Sequence, residues 1–249
     1  MAAPRVTVAV PSLDQGRFLG QCLESIFAQG VEVEVFVMDA GSNDGTLAVI
    51  GRWQDRLAGW RSHPDAGQAA AINEGIARGT APYVCWLNSD DWWLPGALAK
   101  LIEALERDSG APFAFGRVSN FDNETGRTRV NVEVHPFRER LFAQFCTVAQ
   151  PATLVRRSAW EAVGGLDESL HFAMDYDLWW RLYRRFGKPA FVDAQLAMNR
   201  RHPGTKTTSQ RRAHYDEAIA VVREHYGRVP LKWYLAQPYA VWYRSRVGR

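Results

Sequence analysis

The chain has 249 residues, 47% of them hydrophobic, which fits one large globular domain or two small ones with a substantial core. No run approaches the roughly 20 apolar residues that span a bilayer, and the strand-like Val6–Val10 comes so early that no signal peptide is expected before it. Three widely spaced cysteines, Cys22, Cys85 and Cys146, argue against a disulfide framework or zinc site and fit reduced thiols of a cytoplasmic protein. The net charge of +3 is uneven: from Arg200 onward eleven Lys or Arg face three Asp or Glu (+8), which leaves 19 against 24 (−5) in the remainder. A basic C-terminal region suits an anionic partner, either a membrane surface or a phosphate-bearing substrate. Nucleic acid is not expected, because no recognisable binding module accompanies the charge.

In chain order, Val6–Val10 reads as a strand and Phe18–Gln29 as a helix with Leu19, Leu23, Ile26 and Phe27 on one face. A second strand, Val33–Met38, ends at Asp39, and the turn Gly41-Ser42-Asn43-Asp44-Gly45 leads into a helix from Thr46 to about Leu57. A short strand near Trp60–Ser62, a helix from Gln68 to Arg78, a strand at Tyr83–Leu87 and a helix at Pro95–Arg107 follow. This alternation implies βαβ units and a mostly parallel sheet. The second half is less regular: a strand at Phe113–Val118, a polar turn over Asn120–Thr128, a short helix at Ser158–Val163, a helix at Asp175–Phe186, a strand at Pro189–Met198 and an amphipathic helix at Ser209–Tyr226. No internal repeat or flexible linker divides the chain. Residues 1–230 are therefore expected as one domain, with a ligand-binding half over 1–107 and a second half over 108–230, followed by a basic aromatic tail over 231–249.

The polar clusters fall where strands end. Asn88-Ser89-Asp90-Asp91 follows the apolar run Tyr83–Leu87, at the edge where open α/β sheets hold ligands. Two adjacent carboxylates there repel and must be desolvated; a divalent cation such as Mg2+ or Mn2+ relieves both costs and would hold the phosphates of a nucleotide. Capping of the next helix is the alternative. Asp39 at a strand end suits ribose hydroxyls, or else a turn. Asp44 is read as the cap of the helix from Thr46.

Taken together, Pro11-Ser12, Asp39-Ala40-Gly41-Ser42-Asn43-Asp44-Gly45-Thr46, Asp65-Ala66-Gly67-Gln68 and Trp86-Leu87-Asn88-Ser89-Asp90-Asp91 resemble, in order and spacing over about 90 residues, the nucleotide-binding half of family 2 inverting glycosyltransferases of GT-A fold. That resemblance implies an α/β GT-A fold, a nucleotide-binding sheet flanked by helices and an acceptor-binding second half. It implies donor contacts from Pro11, Ser12, Asp39, Asp65, Gln68, Asn88 and Asp90, with Asp91 coordinating a Mn2+ or Mg2+ ion that bridges the diphosphate. Asp65 is read equally as a turn former. Many relatives carry an acidic residue at the position of Ala70 and a basic one at that of Glu74, so the identity of the donor is less legible than the fold.

The run Phe172-Ala173-Met174-Asp175-Tyr176-Asp177 resembles the family's acceptor-side helix, in which the aspartate matching Asp175 is the general base. A base is needed because a sugar hydroxyl is a weak nucleophile at neutral pH. Met174 stands where many members have glutamate. Asp177 is two positions on, off the face of Asp175, and is expected to be structural. Gly164–Glu168 and Gln150-Pro151-Ala152 resemble segments that shape the acceptor side, and at most one of Trp179 and Trp180 is expected to stack on a sugar. Arg200–Thr207 resembles the loop over the donor diphosphate, in which His202 would ligate the metal and Lys206 would pair with a phosphate.

The tail places Trp233, Tyr234, Tyr239, Trp242 and Tyr243 among Lys232, Arg244, Arg246 and Arg249, a mixture that fits the interface of an anionic bilayer and equally a dimer contact or docking on the core. The expectation is a metal-dependent inverting glycosyltransferase at the inner face of the plasma membrane. It would take a nucleotide diphosphate sugar, UDP-sugar favoured, to a glycan or polyprenyl-linked glycan in cell-surface polysaccharide synthesis. A nucleotidyltransferase, a non-catalytic binding module and a membrane scaffold are the rivals.

Overall fold

The apolar runs of the first half become β1 (Val6–Ser12), β2 (Val33–Asp39), β3 (Gly59–Ser62) and β4 (Tyr83–Trp86) in the computed structural model, which describes residues 2–204 and 210–243. Between them lie α1 (Gly16–Phe27), α2 (Thr46–Trp53) and α3 (Gln68–Ala77). Every residue of β1 is buried, as expected of a central strand covered on both faces. The chain continues through β5 (Trp92–Trp93), α4 (Ala97–Arg107), β6 (Phe113–Asp122), β7 (Thr128–Val130), α5 (Glu139–Phe142), β8 (Thr153–Arg156), α6 (Arg157–Ala162), α7 (Met174–Phe186), β9 (Ala190–Arg201), α8 (Arg211–Tyr226) and α9 (Leu231–Gln237).

Among the described residues the sheet runs β3-β2-β1-β4-β8-β6-β9-β5, with β7 paired to β6. The first four strands are parallel; β8 then enters antiparallel to both β4 and β6, and β9 lies parallel to β6. The order reverses between β1 and β4, so the loops after these two strands diverge and leave a crevice at their C-terminal ends.

Two expectations change. The segment Asn120–Thr128 is not all turn: β6 continues to Asp122 and pairs with β7 through Ser119↔Val130 and Phe121↔Thr128. The last long strand does not stop at Met198 but runs to Arg201, because β6 offers it a parallel partner as far as Asp122↔Arg201. This extension carries Arg200 to the mouth of the crevice.

One core serves both halves. Trp86 of β4 stacks on Trp179 of α7 at 5.8 Å between ring centroids and meets Trp160 of α6 edge-on at 6.0 Å. The helix starts at the crevice are also tied together. Asp44 Oδ1 accepts the Thr46 N–H at 3.0 Å and Oδ2 that of Gly16 at 2.9 Å, so one carboxylate serves α1 and α2. Gly16 is required there, since a Cβ at that position would lie 2.7 Å from Thr46 N.

Candidate active site

The crevice opens into a cavity of about 680 Å3, a usual size for a small-molecule site. One wall is built from strand ends and the helix start that follows them: Pro11 and Ser12 at the end of β1 with Leu13 after it, Met38 and Ala40 at β2, Asp65, Gly67 and Gln68 entering α3, and Asn88–Asp91 after β4. The facing wall comes from the second half: Val118 and Asn120 of β6, Asn131, Cys146, Gln150, His171, Phe172, Asp175, Asn199–Arg201 and His214. Ser12 Oγ, in the strand-end wall, is buried with no hydrogen-bond partner, a cost of about 1–3 kcal/mol that a ligand would remove.

Asp90 and Asp91 do not cap the next helix, whose N-cap is Gly96 with no side-chain bond. Asp91 is 2% exposed, and its Oδ1 accepts the Arg200 N–H at 2.8 Å. Arg200 Nε donates to the Asp90 carbonyl at 2.9 Å, while its guanidinium also reaches Asn123 at 2.8 Å and lies over Phe18 and Trp92. A strand end therefore clamps the carboxylate turn. Burial, then the Asp90 charge, push the Asp91 carboxyl well above its ordinary range, against the Arg200 contacts that lower it.

His202 sits behind Asp90. Its Nδ1 lies 3.3 Å from the Arg17 guanidinium and 3.2 Å from the Gly204 N–H, so Nδ1 accepts and Nε2–H donates to Asp90 Oδ2 at 3.0 Å. Both ring nitrogens are in use, and His202 braces Asp90. Lys206 lies outside the described residues.

Asp39 departs from expectation. It is fully buried; its carboxylate accepts the N–H groups of Gly41 at 3.1 Å and Ser42 at 2.9 Å and the hydroxyls of Ser42 and Ser62, and it shapes the loop behind Ala40 without facing the cavity. Asp65 does line the cavity, with Oδ1 on the Gly67 N–H at 2.9 Å and Oδ2 on Arg61 at 3.0 Å. Arg61 also pairs with Glu74 at 3.0 Å, so a cation from β3 balances the acidic Glu74. Gln68 donates to Asn88 Oδ1 at 2.9 Å and joins the start of α3 to the loop after β4.

Across the cavity, Asp175 occupies the second position of α7. Burial raises its carboxyl to about 6, with hydrogen bonds from the Tyr176 and Asp175 backbone opposing and the Glu217 charge adding. Asp177, a part of the same helix turn, faces away into an ion-pair network with Arg181 and His225, both at 2.7 Å. Trp179 and Trp180 are fully buried in the core, so neither presents a face to a sugar. The asparagines at 120, 131 and 199 are site residues that the motifs did not single out; Arg200 opens the segment Arg200–Thr207, but its contact with Asp91 is not legible there. The alternation along β6 and the register of β9 put Asn120, Asn199 and Arg200 there, and Asn131 follows β7 with its N–H on the Val118 carbonyl at 3.0 Å.

A parallel half-sheet with paired carboxylates at its switch point, facing a carboxyl from a second half across the cavity, is the arrangement of a GT-A glycosyltransferase. The chain belongs to glycosyl transferase family 2, which residues 7–162 match. It is 30% identical to an uncharacterised protein of Mycobacterium tuberculosis over 83% of this chain and 70% of that protein. It is 25% identical to the chondroitin synthase of Escherichia coli over 94% of this chain and 34% of that one. Among solved structures, S. aureus TarS 1–349 in complex with UDP-GlcNAc superposes with a TM-score of 0.72 at 16% identity, covering 89% of this chain and 66% of that one. The mannosyltransferase PcManGT of Pyrobaculum calidifontis, in complex with GDP-Man and Mn2+, gives 0.69 at 18% identity over 99% and 74%. The chain thus spans about two thirds to three quarters of those two structures and about a third of the synthase.

Proposed function

We propose that the chain transfers one sugar, with inversion, from a nucleotide diphosphate sugar, UDP-sugar favoured, to a hydroxyl of a glycan or polyprenyl-linked glycan in polysaccharide synthesis. The observation that carries this is one cavity with Asp90–Asp91 on its switch-point wall and Asp175 on the opposite wall. Asp175 takes the proton of the acceptor hydroxyl as its oxygen bonds to the anomeric carbon and the nucleoside diphosphate leaves from the other face. A base of about 6 is largely ionised at neutral pH yet stronger than an ordinary aspartate. The TarS structure with UDP-GlcNAc and the chondroitin synthase relative support the donor class and the polysaccharide setting.

The residues fit a divalent cation. Asp91 is a buried carboxylate raised by desolvation and by Asp90, costs that a hard cation offsets. Among the described residues no three His, Cys, Asp or Glu side chains form a ready cage, so Asp91, with Asp90 beside it, would hold Mn2+ or Mg2+ together with the ligand's own phosphates. When bound, the ion neutralises charge on the departing diphosphate. Thermal-shift measurements with UDP, GDP, dTDP and CMP, each with and without Mn2+, test the site. A nucleotide at 100 times its Kd adds about 2.7 kcal/mol. Stabilisation by one nucleotide only with metal, lost in Asp91→Asn, is expected; no shift with any of them rejects the donor site, and binding without transfer leaves a binding module.

The proposal extends to an anionic membrane at the acceptor side. Trp233 of α9 is docked in the core, its Nε1 donating to the Ala143 carbonyl at 2.8 Å, which turns Leu231 (68% exposed), Tyr234 and Leu235 (71%) outward. Arg228 and Lys232 flank this face, and Arg244, Arg246 and Arg249 follow in the sequence, outside the described residues. Apolar side chains beside cations suit an anionic interface. The double variant Leu231→Glu/Leu235→Glu is expected to lose cosedimentation with phosphatidylglycerol vesicles while its thermal stability stays unchanged; retained binding removes the membrane role.

A further inference from the structure

Helix α7 begins without a side-chain cap of its own; its N-cap is Ala173. The amides before it are instead held from α8. Glu217 Oε1 accepts the His171 N–H at 2.9 Å, and Oε2 accepts those of Phe172 and Ala173, both at 2.6 Å. Three consecutive N–H groups on one carboxylate are short, charge-assisted bonds at the positive end of a helix. They join residues 44 to 46 positions apart in the chain. Asp175 stands two residues beyond the last of these amides.

We infer that Glu217 is the positioning residue of Asp175: from α8 it sets where α7 starts, and it places a negative charge beside the carboxyl that faces the cavity. The inference rests on the reading of Asp175 as the base. Burial is the larger cause of the raised Asp175 carboxyl and the Glu217 charge adds to it. The other titratable groups around Asp175 are Tyr176 on its own helix, Cys146 from the loop before β8, His171 at the start of the clamped segment and His214 one turn before Glu217. Burial, then other charges including Asp175, keep the Cys146 thiol and the Tyr176 hydroxyl protonated. Burial holds His214 below its ordinary range, against the Glu217 charge that raises it, so it is neutral at neutral pH. Glu217 is thus the charge that acts on Asp175 among the described residues.

The test uses Glu217→Gln, which keeps the shape and removes the charge, and Glu217→Asp, which restores the charge on a shorter arm. In protein carrying 13C-carboxyl aspartate, the Asp175 resonance is identified as the one missing from Asp175→Asn. Its midpoint is expected to move down from about 6 in Glu217→Gln and back up in Glu217→Asp. Hydrogen exchange of the His171–Ala173 amides in Glu217→Gln is expected to quicken about tenfold, as when charge-assisted bonds weaken. Mn2+-dependent nucleotide stabilisation is expected to stay as in the parent, a result that general unfolding would not give. Failure of either the midpoint or the exchange to move overturns the assignment. Full transfer activity in Asp175→Asn instead overturns the base reading, without touching either readout of Glu217.

Discussion

Asp91 is a buried carboxyl and Asp175 a partly exposed one at the cavity wall; both are held above the ordinary range, and their neighbours differ. Asp175 has one acidic neighbour and an open cavity in front of it; if it is the proposed base, transfer needs its ionised form, so kcat/KM is expected to rise with pH and reach half its plateau near 6. A pH–rate profile from 4.5 to 8 checks this, and Asp175→Asn is expected to lower kcat by about 10^2 to 10^4 while nucleotide binding persists. Asp91 has Asp90 beside it, and burial with that charge outweighs the Arg200 contacts, a cost that the proposed cation would relieve. Asp91→Asn is therefore expected to raise the stability of the unliganded protein by about 1 kcal/mol, seen by urea titration, while abolishing the metal-dependent shift. At this scale the sequence was informative about which carboxyls meet at the cavity and silent about their state. The Ser-Asp-Asp run and Asp175 are visible as motifs. That Asp39 is consumed by Ser42 and Ser62, and that Glu217 supports Asp175, depends on side chains brought together from separate segments.

Among elements, α7 shows how the second half is fixed. Asp177 bonds Arg181 within the helix and His225 at the end of α8, and Arg181 Nη1 also donates to the carbonyls of Val163 and Gly165, each at 2.7 Å. Burial would raise the Asp177 carboxyl, but the His225 hydrogen bond and the Arg181 charge outweigh it and hold it below the ordinary range. A depressed carboxyl contributes stability that is complete above its unfolded value, about 3.9, and is lost as pH falls through its folded one. Asp177→Ala leaves Arg181 and His225 without their partner and is expected to cost about 3 kcal/mol at pH 7, measured by denaturant unfolding. Long amphipathic helices and buried strands were legible because their periodicity extends over many residues. The two-residue β5, the four-residue β8 and the last turns of β9 were not, since strands that short exist only through their neighbours in the sheet.

For the molecule as a whole, the stacked Trp86 and Trp179 join the parallel half to the second half. Trp86→Ala is expected to destabilise by about 3–5 kcal/mol. If the halves form one unit, near- and far-ultraviolet dichroism will report the same midpoint for variant and parent alike, and separate midpoints would show two domains. The same core holds Trp233, so α9 is fastened on one side and exposes Leu231 and Leu235 on the other.

Sequence alone determined the βαβ order of the first half, the strand-end position of Asp90–Asp91 and the kinship that pointed to Asp175, because each is a local pattern of burial, turn residues and charge. Tertiary structure decided which polar groups face the cavity. Arg200 reaches Asp91 only through the register of β9 on β6, and Glu217 reaches the start of α7 only because α8 packs there. Such placements arise from closure of one core across distant segments, and no local pattern encodes them.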